Sequence, residues 1–304
     1  MQSMANESNP IVLFVATEKT TGVCNFIYSL EHFKQEYTHL CLGKRWQGWQ
    51  WRMQMYIAAL KELEPNRWVA TSDADDVLCA RRLTCAGLES LTDGKPDVII
   101  ASAETFCGGN CVPLDKYWKA RNNQVPRNAY THANGGGIVG RAKDMLTMYT
   151  WMLASGDLDD QRALGKYANF FPDRVVLDSY AQELAVVVAE SGHKTVFLAE
   201  SQSIQRSCGV TKPALLHFPG KFGYTKLLYL LIGQTFRTSK DEFGKRLLRE
   251  NYIDADQGFS FSGHVFSTVM FCLLSCVLIL FSVAIYLAVK LSRSRTLTRT
   301  AASA

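Results

Sequence analysis

Residues 67–76 read RWVATSDADD, an apolar, β-prone run that ends in three carboxylates within four positions: Asp73, Asp75 and Asp76. Such a run predicts a buried strand over residues 67–72, with the acidic cluster at its C-terminal end. Like charges this close repel one another. They are tolerated where water is plentiful or where a divalent cation sits between them. Hard oxygen donors select magnesium or manganese rather than zinc. In isolation, DADD reads equally well as a solvated turn that caps the next helix.

The segments on either side alternate between strand and helix. Residues 11–17 (IVLFVAT) form a continuous apolar run and read as a buried strand. Residues 20–33 carry apolar side chains at helical spacing, residues 37–42 read as a short strand, and residues 49–63 read as a helix stopped by Pro65-Asn66. Residues 97–102 (DVIIAS) are a further strand, residues 141–154 and 159–170 are helices, and 175–177, 195–199 and 214–218 are later strands. Regular alternation of this kind predicts an α/β fold: a Rossmann-like, mostly parallel sheet flanked by helices. Ligands bind such sheets at the C-terminal ends of the strands, which is where the acidic cluster falls.

The chain has 304 residues, 47% of them hydrophobic and 20% charged, which suits a folded α/β domain and excludes global disorder. Mean hydropathy is -0.04, so the chain is not a polytopic membrane protein. The formal net charge is +5, but Lys290, Arg293, Arg295 and Arg299 all lie in the last fifteen residues, and the remainder is nearly balanced. A nearly neutral globular part argues against nucleic acid as a partner, because such binding needs a basic face. The nine cysteines cannot all pair within one chain. The spacing of Cys107 and Cys111 suits a tight disulfide loop, but no second pair stands at zinc-ribbon spacing.

Residues 265–289 (VFSTVMFCLLSCVLILFSVAIYLAV) contain no charge over 25 positions. At ~1.5 Å per residue a helix of that length slightly exceeds the ~30 Å hydrocarbon core of a bilayer. A buried core helix would seldom run so long without a polar face, so the run reads as a single transmembrane helix. The expected organisation is a globular domain over 1–260, the helix over 265–289 and a short basic tail over 290–304. No comparable apolar core stands near the N-terminus. The lipid bilayer is thus an expected partner, through a single-pass C-terminal anchor. Basic residues flank both sides of the helix and leave its direction open.

Three further stretches bear on chemistry. Asn134-Gly135-Gly136-Gly137 lets backbone approach a ligand closely and offers amides to polar groups, although glycine runs are often plain turns. Asp159-Asp160 opens a helix, where one carboxylate suffices to cap free amides, leaving the other available. His217, in His217-Phe218-Pro219-Gly220, ends the last strand and could complete a cation's coordination.

In this order the pieces resemble a known family. The stretch IVLFVATEKTTGVCNFIYSLEHFKQEYTHLCL at 11–42, followed by Gly43-Lys44-Arg45-Trp46, is similar to the start of the glycosyltransferase domain of procollagen lysyl hydroxylases and the related collagen glycosyltransferases. The similarity continues through SDADDVL at 72–78, SAETFC at 102–107, NGGGIVG at 134–140, DDQ at 159–161, Leu177-Asp178 and HFPG at 217–220. It spans roughly residues 11 to 230. The resemblance implies a GT-A fold that uses manganese (or magnesium) and a UDP-sugar, UDP-glucose or UDP-galactose.

By position, the resemblance implies that Asp73, Asp76 and His217 hold the metal, and that Thr17 and Trp46 flank the uracil. It puts Asp75 on the ribose or as an extra ligand, and sets Asp159 and Asp160 toward the donor sugar or the acceptor. Asn134, Gly135, Gly136, Gly220 and Lys221 would line the nucleotide-sugar pocket. The family's glycine-rich stretch with a phosphate-contacting lysine is shortened here, and Arg52 is the nearest basic residue. The family's His-Gly-Asn-Gly is His-Phe-Pro-Gly in this chain. The hydroxylase domains are absent, and no iron-binding His-x-Asp pair suggests hydroxylation.

The expected activity is transfer of a hexose to a hydroxyl acceptor on a protein, hydroxylysine included, or on a glycan, within the endomembrane system (ER or Golgi). A membrane-anchored inactive relative that binds nucleotide-sugar or a partner is the alternative. A phosphohydrolase of the haloacid dehalogenase type would carry its Asp-x-Asp after the first strand, not the third.

Overall fold

Every side chain of Ile11–Val15 is buried, because this strand is covered on both faces of its sheet. The computed structural model describes residues 9–105, 112–125, 130–187, 196–198, 203–206 and 209–219. The elements run β1 (Ile11–Val15), α1 (Thr21–His32), β2 (Glu36–Leu40), α2 (Trp49–Lys61), β3 (Trp68–Ser72), β4 (Val77–Cys79), α3 (Cys85–Thr92), β5 (Ile99–Glu104) and α4 (Asp115–Ala120). They continue as β6 (His132–Arg141), α5 (Ala142–Ala154), α6 (Asp160–Phe170), β7 (Val175–Asp178), β8 (Leu184–Val186), β9 (Val196–Leu198), β10 (Ser203–Arg206), β11 (Gly209–Thr211) and β12 (Leu215–His217).

The main sheet has six strands in the order β2-β1-β3-β6-β5-β7. Five run parallel to one another, and β6 is antiparallel to both of its neighbours, β3 and β5. Alternate residues of β1 feed two cores. Ile11, Leu13 and Val15 pack with Met53, Tyr56, Met145, Met148 and Leu164 of α2, α5 and α6. Val12 and Phe14 pack with Val23, Phe26 and Leu30 of α1 and with Leu83 and Leu88. That two-sided burial explains why the strands read as continuous apolar runs rather than alternating ones.

A three-stranded sheet, β4-β12-β8, carries Leu215–His217 past the acidic cluster. β12 runs antiparallel to β4, with His217 opposite Val77, and parallel to β8. β9, β10 and β11 form a separate antiparallel sheet.

Of the two readings of Asn134-Gly135-Gly136-Gly137, the structure removes the plain turn. The run lies within β6, opposite Ser72 of β3 at Gly137 and opposite Ser102 of β5 at Asn134. Glycine has little intrinsic strand preference, and pairing on both sides supplies it. The register with β5 shifts between Ala101 and Ser102. Because β6 is antiparallel, its first half lies at the same sheet end as the C-termini of β3 and β5.

Among the described residues no helix is long and apolar enough to cross a membrane. The 265–289 run, the basic tail, Gly220, Lys221 and the Cys107–Cys111 loop lie outside the described residues.

Candidate functional site

β3 delivers its carboxylates to one end of the sheet and β12 delivers an imidazole to the same place. The Asp73 amide donates to Gly136 O at 3.1 Å, and the Phe218 amide donates to Asp76 O at 2.8 Å. These two backbone bonds fix the turn after β3 against β6 and β12. Asp73, Asp76 and His217 each then offer a ligand atom within 4.8 Å of the others. His217 Nε2 stands 3.4 Å from Asp73 Oδ2 and 3.5 Å from Asp76 Oδ1. The two carboxylate oxygens suit a hard cation such as magnesium or manganese, and the imidazole nitrogen fits a transition metal such as manganese better than magnesium. Asp75 stands outside this group and accepts a hydrogen bond from the Thr20 hydroxyl.

Behind the cluster lies a buried cation. Arg52, on the inner face of α2, is 6% exposed. Its guanidinium pairs with Asp73 Oδ1 through Nη1 and with Asp160 Oδ2 through Nη2, and Nε donates to the same Asp160 oxygen at 2.9 Å. The guanidinium also sits 4.5 Å from the centre of the Trp49 ring. For Asp73, burial alone would raise the pKa, but Arg52 and His217 outweigh it and hold the carboxyl below the usual range. For Asp160, burial dominates over the attraction of Arg52, and with Asp73 nearby it pushes the carboxyl up. For His217, burial disfavours the charged ring, but Asp76, Asp73 and Glu104 outweigh it and raise the pKa.

The pair at the head of α6 divides its work. Asp159 is the N-cap, its Oδ1 accepting from the Arg162 amide at 2.9 Å. Asp160 turns inward and is buried against Arg52. Gln161 also faces the site. Its Nε2 donates to Glu104 Oε1 at 2.6 Å, and its Oε1 accepts from the Gly135 amide at 3.4 Å.

Gly136 makes room for the imidazole: a Cβ there would run into the His217 ring. The residues expected at the nucleobase lie at the neighbouring strand ends. Thr17 O accepts from the Gly43 amide at 2.9 Å, joining the loops that follow β1 and β2. Trp46, 41% exposed, packs edge-on against Trp49 and Trp51. The structure therefore brings together Asp73, Asp76, His217, Arg52, Asp160, Asn134 and Gly136. Arg52 is committed to carboxylates rather than open at the mouth.

Sequence reasoning passed over two contributors. Glu104 ends β5 just as Asp73 follows β3, a carboxylate after an apolar run, and that signal was there to be read. Gln161 carries no signal of its own beyond its place beside two aspartates. A separate cleft of about 540 Å³ opens at the other end of the sheet, beside Trp68, Glu89, Lys95, Asp97, Arg141 and Lys143. Its charges pair with one another, Arg141 with Glu89 at 2.9 Å and Lys143 with Asp97 at 3.1 Å. The converging donors are at the carboxylate end.

No protein-family model matches the chain, and no curated protein matches it. Fold and site define an α/β protein with a candidate divalent-cation centre at the C-terminal ends of its parallel strands.

Proposed function

We propose that this protein is a metal-dependent glycosyltransferase of the GT-A class, moving glucose or galactose from a UDP-sugar to a hydroxyl on a protein or glycan. The observation that carries the reading is the convergence of Asp73, Asp76 and His217 at the strand ends, with Asp160 joined to them through Arg52. The family resemblance of residues 11–230 supplies the donor class. A cation held there would neutralise charge developing on the departing diphosphate. Asp160 keeps one carboxylate oxygen on Arg52, which leaves the other to orient the sugar or to take the acceptor proton. Burial raises the Asp160 carboxyl above its ordinary value, the direction that suits a proton acceptor. Thr17 and Trp46 would hold the uracil, and residues 265–289 would anchor the chain in an endomembrane.

The alternative is an anchored relative that binds nucleotide-sugar without turnover. It draws support from Arg52, which is engaged with Asp73 and Asp160 instead of standing open to a diphosphate. Release of UDP from UDP-glucose and UDP-galactose, with manganese and with EDTA, separates the readings. Manganese-dependent release is the expected result. UDP binding without release would favour the alternative, binding indifferent to metal would sink the metal-dependent enzyme, and no binding at all would sink both. Carbonate extraction should leave the full-length chain in the membrane pellet, and recovery in the soluble fraction would refute the anchor.

A further inference from the structure

We propose that Glu104, Asn134 and Gln161 form a buried relay that holds the His217 imidazole in its Nδ1-protonated tautomer, with the Nε2 lone pair presented to the cation. The inference rests on the reading of Asp73, Asp76 and His217 as a cation site. It assigns positioning roles to Glu104, Asn134 and Gln161, which would act on the cation through His217.

The orientation of the Asn134 amide decides the tautomer, and its neighbours decide that orientation. One of its terminal atoms lies 2.8 Å from the Gly136 amide nitrogen. A backbone N–H can only donate, so that atom is the oxygen. The other terminal atom lies 3.0 Å from Glu104 Oε2. An ionised carboxylate can only accept, so that atom is the NH₂ group. His217 Nδ1 stands 2.9 Å from the same Asn134 oxygen. Nδ1 makes the closer contact with its acceptor, at 2.9 Å against 3.4 and 3.5 Å for Nε2, so the single proton of the neutral ring belongs on Nδ1. In the neutral ring Nε2 is then unprotonated, and it faces Asp73 and Asp76.

Glu104 is itself held from a second side. Its Oε1 accepts from Gln161 Nε2 at 2.6 Å while Oε2 serves Asn134. Glu104, Asn134 and His217 are 6%, 2% and 6% exposed, so little water is at hand to replace a lost partner. Gln161 directly follows Asp160, so the relay also ties the cation end of the site to the helix that carries the proposed reacting carboxylate. Groups that orient a metal-bound histidine through its other nitrogen are typically worth 10–100-fold in metal affinity or activity.

Glu104→Leu removes the acceptor that keeps the Asn134 NH₂ group turned away from His217. The amide is then held chiefly by the Gly136 N–H, so its orientation is less fixed, the Nδ1–H tautomer is less strongly enforced, and the Nε2–H form, which opposes a cation, gains population. Glu104→Gln keeps a carbonyl oxygen that can accept from Asn134. The test uses the full-length chain in detergent micelles and manganese alone, titrated calorimetrically. Glu104→Leu is expected to lose about 10–100-fold in manganese affinity, and Glu104→Gln is expected to recover most of it. In parallel, ¹⁵N-histidine NMR on the metal-free protein, at a pH where the ring is neutral, reads the tautomer of His217, assigned by its loss in His217→Ala.

The Nδ1–H form in the wild type and a gain of the Nε2–H form in Glu104→Leu support the relay. An Nε2–H wild type overturns it without any variant. Folded Glu104→Leu that binds manganese like the wild type also overturns it. If the wild type binds no manganese, the cation reading fails, and the two tautomers alone then decide whether the relay exists.

Discussion

Arg52 and Asp160, 108 positions apart, form a buried pair in which two nitrogens of one guanidinium converge on one carboxylate oxygen. A third nitrogen reaches Asp73, so one side chain of α2 joins the turn after β3 to the head of α6. Burial of such a group is tolerable only because both acids answer it. Removing one partner of a buried pair costs about 3–5 kcal/mol, since it leaves uncompensated charge behind.

Arg52→Met is therefore expected to lower unfolding free energy by about that amount, or to prevent folding. Arg52→Lys should lose less, because it keeps the charge, yet it cannot match both acids with a planar fork. Urea denaturation of the three proteins checks this. Equal midpoints would mean that the ion pairs contribute nothing to stability.

The two aspartates at the head of α6 should separate cleanly. Asp159→Asn preserves the cap, because asparagine caps as well as aspartate, and should keep stability within a few tenths of a kcal/mol. Asp160→Asn should reduce sugar transfer by about 10²–10⁴-fold while UDP still binds in the presence of manganese. Transfer at the wild-type rate in Asp160→Asn would remove that residue from the proposed chemistry.

Neighbouring glycines of β6 should differ as well. A Cβ on Gly135 would meet Gln161 Cα at 3.6 Å, an ordinary contact, whereas one on Gly136 would overlap the His217 ring. Gly135→Ala should be tolerated. Gly136→Ala should cost about 1–3 kcal/mol through overpacking and should abolish manganese binding by displacing the imidazole. Thermal melts and metal titration of both variants provide the check, and similar behaviour of the two would contradict the packing described.

Asp144 gives a pH dependence away from the site. Burial raises its pKa to about 6; Lys143 opposes the shift and Asp97 adds to it. Its Oδ2 is buried without a partner among the described residues. In the unfolded chain the group ionises near the ordinary 3.8. Between the two values the folded state holds the extra proton, so its contribution is full below the lower value and is lost as pH rises through the upper one. Asp144→Asn should thus match the wild type near pH 3.5 and be the more stable protein above pH 6. The gap should stay below ~1 kcal/mol, because the group is only partly buried and is screened by solvent. Denaturation midpoints across that range would show it, and a wild type that gains on the variant with rising pH would contradict it.

Elements whose character is local can be read from the order of residues alone. The apolar runs of β1, β3 and β5 and the helical periodicity of α2, α5 and α6 could be read without partners, because burial on both faces or along one stripe leaves its period in the chain. The carboxylates after β3 and the spare aspartate beside the α6 cap were legible for the same reason. Tertiary structure alone decided the rest. HANGGGIVGR has almost no side-chain pattern to read, and it is a central strand because β3 and β5 supply its hydrogen bonds. Arg52 reads as the basic residue nearest the missing phosphate-contacting lysine until α2 packs it against Asp73 and Asp160. His217 and Asn134, 83 positions apart, meet only because β12 and β6 converge on the same strand end. Long-range charge and hydrogen-bond pairing has no period along the chain, so only the packed fold could assign it.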